Sequence, residues 1–98
     1  MNALGIIEAI GISVAAAAMD AACKTSKVKV IGAEKVIGAG KSITVSIYLE
    51  GEVAAIEAAV KAGETAGKRV GIVQVARVIP RPYEDLIKIF IKKKKKDN

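Results

Sequence analysis

From Ser42 to Leu49 polar and apolar residues alternate without a break, SITVSIYL. Strict two-residue alternation marks a strand with one face buried and the other facing solvent. The run matters because of what stands before it. Gly40-Lys41-Ser42 has the composition of the end of a phosphate-binding loop. Such a loop needs a further glycine where this chain has Lys35, and a helix N-terminus directly afterwards to face the phosphate with unpaired N–H groups. A strand in that place supplies no such groups. The glycines of KVIGAGKSITVSI therefore need a different purpose.

The rest of the chain falls into elements around this strand. Residues 3–10 read as a short buried strand ended by Gly11. Ser13 can cap a helix through VAAAAMDAACKT, apolar on nearly every face and so expected to pack on two sides. KVKVIGA, residues 27–33, alternates again, and the glycine loop leads from it to the strand of residues 42–50. Gly51 opens a helix over EVAAIEAAVKAGETAGKR, with Val53, Ile56 and Val60 on one face. Glu57–Lys61 and Glu64–Lys68 are i,i+4 pairs on its outer side. GIVQVARVI, residues 71–79, is apolar enough to be a central strand; Pro80 and Pro82 stop it, and residues 83–90 read as a short terminal helix. The order βαββαβ predicts an α+β, ferredoxin-like domain: a four-stranded antiparallel sheet with both helices on one face, plus the short C-terminal helix. That fold serves enzymes, sensors, RNA binders and structural proteins alike, so it decides nothing about function.

Composition narrows the choice. The chain has 98 residues, is 52% hydrophobic and only 3% aromatic, so its one core is built from Ala, Val and Ile. Small side chains bury little area each, and such a domain gains by covering more surface in an oligomer. There is no histidine, which removes the commonest general base and the commonest metal ligand together. Neither a catalytic constellation nor a metal site is expected: Glu84-Asp85 has no companion ligands. Glu8 stands in an apolar strand and must find a hydrogen bond or ion pair. Tyr48 alone offers a stacking surface on the strands, too little for an RNA-reading sheet. Five of the sixteen basic residues lie in the run 92–96, followed by Asp97. The positive charge is therefore a tail, expected to be solvated and disordered, and residues 1–91 form the domain. Cys23 has no partner for a disulfide and is expected to be buried and inert in its alanine-rich helix. The N-terminal stretch lacks a basic start and carries Glu8 and Asp20, so neither a signal peptide nor a membrane span fits, and an intracellular protein is expected.

Several stretches together resemble one family, the hexamer-forming, single-domain shell proteins of bacterial microcompartments. ALGIIEAIG resembles its first strand, and AAAAMDAACKTSKVKVIGAEKV its first helix and second strand. GEVAAIEAAVKAG resembles its second helix, and VARVIPRPYEDL the end of its domain. The likeness covers about residues 3–88. It implies a non-enzymatic subunit without a cofactor, located in a microcompartment in the cytoplasm. Its copies would form a flat homohexamer that tiles edge to edge with other shell proteins around encapsulated enzymes. It also implies that Gly38, Ala39, Gly40 and Lys41 come to the sixfold axis as a pore for small metabolites. Lys24 and Arg81 would then meet neighbouring hexamers at the edge. Glycines would let six backbone loops crowd one axis.

The departures from the family pattern are specific. Lys41 and Ser42 lengthen the loop, Ile10 replaces a frequent basic residue, Tyr83 replaces a common histidine, and the lysine run has no counterpart role. The alternative from the fold alone is a ferredoxin-like sensor binding a small ligand between subunits.

Overall fold

The computed structural model describes residues 2–25, 27–38, 40 and 42–89. Six main elements follow in the order β1 (Ala3–Ile10), α1 (Ile12–Thr25), β2 (Lys29–Ile37), β3 (Ile43–Gly51), α2 (Val53–Val70) and β4 (Val73–Ile79). A short helical segment covers residues 84–89. The four strands form one antiparallel sheet in the order β2-β3-β1-β4. This is the split-βαβ arrangement that the element order predicts.

Both helices lie on one face of that sheet. Odd-numbered residues of β1 point at them: Ile7 and Ala9 are fully buried in one cluster with Ala18 and Ala22 of α1 and Ile56 and Ala59 of α2. The layers approach closely because the contact residues are small. A Cβ on Gly63 of α2 would stand 2.9 Å from the Ala18 carbonyl oxygen and 2.7 Å from Ile7 Cδ1, so no larger residue fits there without moving the helices apart. The domain is accordingly a thin slab, 38 × 30 × 19 Å.

The other face of the sheet carries the even-numbered residues of β1 and the residues paired with them. One row crosses it as Glu34–Ser46–Glu8–Val75, and the neighbouring row as Gly32–Tyr48–Ile6–Arg77. Glu8 finds the partner its apolar strand demands: Ser46 Oγ donates a hydrogen bond of 2.9 Å to its Oε2.

Several expectations change. β4 lies at an edge, and the central strands are β1 and β3; its apolar residues are only half-buried. An apolar run looks the same whether a central position or a second molecule covers it. β2 begins at Lys29 and continues to Ile37, because Val36 and Ile37 still pair with Thr44 and Ile43. α1 starts at Ile12, so Ser13 lies inside its first turn, and one stripe of Val14, Ala15, Ala18 and Ala22 is buried while Ala16 on the far side is exposed. Cys23, next to that stripe, is exposed instead of buried. In α2, Ile56 and Val60 are buried but Val53, in the first turn, is exposed. Glu64–Lys68 pairs at 3.0 Å, whereas Glu57–Lys61 is not among the ion pairs of the described residues. The lysine run lies outside the described residues, as do Ala39 and Lys41 of the loop.

Candidate functional site

The loop joins two strands, not a strand and a helix. β2 ends at Ile37 and β3 begins at Ile43. The Gly38 N–H donates to the Ser42 carbonyl at 2.8 Å and closes the turn. Gly40 has φ +74°, in the left-handed region that a side chain disfavours. Space is not the constraint within one chain, since a Cβ on Gly40 would meet nothing within 4 Å. Gly38 and Gly40 are both exposed. A strand and not a helix follows this loop, and the phosphate-binding reading ends there.

The same end of the sheet carries two apolar corners on opposite edges. The last row runs from Val36 on β2 through Thr44 and Ile10 and ends where the Ile10 N–H donates to the Ile72 carbonyl. On the β2 side, Val36 and Ile37 are 57% and 75% exposed; on the β4 side, Ile72 is 61% exposed, with Val70 and Ile12 also open to solvent. Exposed aliphatic residues occurring singly need no explanation, but two groups on one row do.

Lys24 and Arg81 lie at the opposite end. β1 reaches the loop end at Ile10, and α1 runs back from Ile12, so Lys24 in its last turn is far from the loop. β4 also finishes there, with Ile79 paired to Leu4, and Arg81 follows two residues later. Both side chains are exposed, and no hydrogen bond or ion pair joins them among the described residues. Lys24 is held by Asp20 at 3.1 Å one turn earlier. Arg81 stands between Pro80 and a buried Pro82, whose fixed φ angles restrict where the guanidinium can reach. Arg81, Pro82, Tyr83, Glu84 and Asp85 line an open hollow of about 450 Å³. The structure thus separates the described expected positions into a loop group, Gly38 and Gly40, and a far-end group, Lys24 and Arg81.

On the helix-free face Tyr48 donates a long hydrogen bond of 3.4 Å to Glu34 Oε1. Burial pushes its phenol above the ordinary value, and the Glu34 carboxylate adds to the rise by opposing a second negative charge. Among the described residues no group of three or more potential ligands could hold a metal ion, and no helix is long and apolar enough to cross a membrane. Sequence reasoning missed Arg77, the one charged residue of β4. The signal was the lone charge itself in an otherwise uncharged VQVARVI; unlike Glu8, Arg77 is exposed and solvated in the chain.

The chain is thus a one-domain split-βαβ unit with exposed apolar corners on both edges of its sheet and an exposed glycine turn at the same end. The BMC domain family model matches residues 3–82, and the chain belongs to that family. It is 42% identical over 91 residues to the bacterial microcompartment shell protein PduA of Citrobacter freundii, covering 93% of this chain and 94% of that one. It is 41% identical over 90 residues to the shell protein EutM of Escherichia coli, covering 92% and 89%. With the carboxysome shell protein CcmK2 of Synechococcus elongatus it shares 38% over 86 residues, covering 86% and 80%. In structure it matches a microcompartment protein from Desulfitobacterium hafniense with a TM-score of 0.81 at 23% identity. The match covers 94% of this chain and 48% of that one, about half its length, and supports the fold.

Proposed function

We propose that this chain is a structural shell subunit of a bacterial microcompartment in the cytoplasm, and that six copies close into a ring that tiles with further shell subunits. Residues 1–91 form the shell domain and residues 92–98 its basic tail. The observation that carries the ring is the pair of apolar corners. Val36 and Ile37 lie on one edge, and Ile12, Val70 and Ile72 on the other, both at the loop end. Two different patches on one molecule make a head-to-tail contact, and such a contact closes into a ring when the rotation between copies fits. Complete burial of one aliphatic side chain is worth roughly 1.5–3 kcal/mol, so a few at each corner suffice to favour association.

Because both corners flank the loop, the ring axis falls at the loop. Gly38, Ala39, Gly40 and Lys41 then line a central pore for small polar metabolites, and the positive φ of Gly40 lets the chain turn there without a side chain at the axis. Six copies of Lys41 near that axis make its mouth attractive to anions. The far end, with Lys24 and Arg81, becomes the rim where rings meet. A lysine stem can lie flat along a seam, and an arginine between two prolines can present its planar fork to backbone carbonyls of the adjoining ring. Enzymes enclosed by the shell are further partners.

The first test is the mass in solution, by size exclusion with light scattering, at raised salt to screen the lysine run. The expected result is a particle of about six chains that forms sheets or tubes when the salt is lowered. A dimer or trimer that assembles no further would overturn the reading and bring the ligand-binding sensor forward.

A further inference from the structure

β4 and β2 are the two edges of the sheet, and each carries charge on the helix-free face near the other's level. On β4 this is Arg77, opposite Ile6. It is exposed, and none of the ion pairs among the described residues includes it. On β2 these are Lys29, in the row Lys29–Glu50–Leu4–Ile79 on the far side of the Arg77 level, and Glu34, in the row Glu34–Ser46–Glu8–Val75 on its loop side. Of the two, Glu34 is opposite in sign to Arg77 and is the one that attracts it. Lys35, beside Glu34, pairs with Val45, a member of the helix-side core, and so belongs to the opposite face. Glu8 lies behind Glu34 in the same row, so this part of the β2 side is negative.

Within one chain the two edges cannot pair. Three strand spacings of about 4.8 Å put them roughly 14 Å apart, with β3 and β1 between. In a head-to-tail ring the β4 edge of one copy faces the β2 edge of the next. The rows then meet at matching levels, since Val36 and Ile72 end the same row at the loop. Arg77 falls one two-residue step, roughly 7 Å along the strand, from the level of the neighbour's Glu34. A long arginine side chain covers that step, and its planar fork suits a carboxylate.

We propose that Arg77 of each copy pairs with Glu34 of the next, an ionic latch across the subunit contact that fixes the register in which the apolar corners meet. The inference rests on the ring reading and adds to it the partner of β4. Glu34 keeps the Tyr48 hydroxyl as a donor on Oε1 while its carboxylate accepts the guanidinium. The pair lies on the outward side of the apolar corners, and like charges brought together there oppose association strongly.

Charge exchange tests it. Arg77→Glu, Glu34→Arg and the double variant are compared with the parent by light scattering over a dilution series at one salt concentration, after circular dichroism has established that each is folded. Each single reversal is expected to move dissociation to roughly tenfold higher protein concentration or more, and the double exchange to recover most of the loss. Single variants that dissociate like the parent, or a double variant no better than the singles, would overturn the latch. A parent that forms a closed oligomer other than a hexamer would defeat the ring of six alone, and the same exchange would still decide whether these residues join copies. A monomeric parent would defeat both.

Discussion

The two ends of this small domain are built from opposite materials. At the loop end large aliphatic side chains are left exposed, Ile12, Val36, Ile37, Val70 and Ile72, flanking a turn of glycines, with Lys35, Lys68 and Arg69 exposed among them. At the far end the exposed side chains are charged or polar: Lys24, Asp20, Arg81, Tyr83, Glu84 and Asp85, placed by the end of a helix and a buried proline. Apolar surface gains most from being covered once and left covered, whereas exposed charges form contacts that salt and competition adjust. On the proposed assembly, the contrast predicts a hierarchy, with the loop end making the permanent unit and the far end joining units reversibly.

The sharpest way to break the comparison is to put a charge on an apolar corner. Ile37→Asp or Ile72→Asp should abolish the six-chain particle in light scattering. Its effect on the stability of the separate chain should stay within about 0.5 kcal/mol, since both sites are exposed there. A variant that still formed rings would remove that corner from the contact. At the other end, Lys24→Ala and Arg81→Ala should leave the ring mass unchanged and reduce the sheets seen by electron microscopy. Either variant tiling like the parent would withdraw that residue from the rim.

Two smaller effects sharpen the account of the loop and of the open face. Gly40→Ala introduces a side chain at φ +74° and should cost roughly 1 kcal/mol in denaturant unfolding, with ring formation retained if the axis tolerates six methyl groups. The smallest effect concerns Tyr48. Its pKa is raised above 10.0, first by burial and then by Glu34. The folded state therefore holds the phenol proton where the unfolded chain has released it. The associated stability is intact below pH 10.0 and declines as the pH climbs through the folded value. The stability difference between parent and Tyr48→Phe should accordingly be level at neutral pH and fall in alkali. A difference that stays level on both sides of 10.0 would show that the hydroxyl is not held in this environment.

Much of this was legible in the chain itself. The alternation over residues 42–49 identified β3 and dismissed the phosphate loop, and the Val53, Ile56 and Val60 spacing identified α2, although Val53 itself is exposed. The demand of Glu8 for a partner was met by Ser46. What stayed hidden shares one physical cause: apolar surface does not announce what covers it. β4 reads as a central strand although its valines and isoleucines are only half-buried in the chain, and α1 reads as doubly packed although its far side is exposed. Cys23 was misplaced because a helix of alanines has too little contrast to show which side is turned inward. The proposed roles of Lys24 and Arg81 carry no periodicity at all and rest on the likeness to the shell proteins.

One consequence follows from Gly63 and its close contact with Ala18 and Ile7. By letting helices and sheet settle together it leaves a slab whose smallest dimension is 19 Å. A wall one molecule deep offers solutes almost no path length along which to be slowed or sorted. Its permeability is then governed by the area of its openings, and a misfitted seam between tiles leaks as freely as any aperture meant to be there. For such a wall, accuracy of joining is the whole of its insulation.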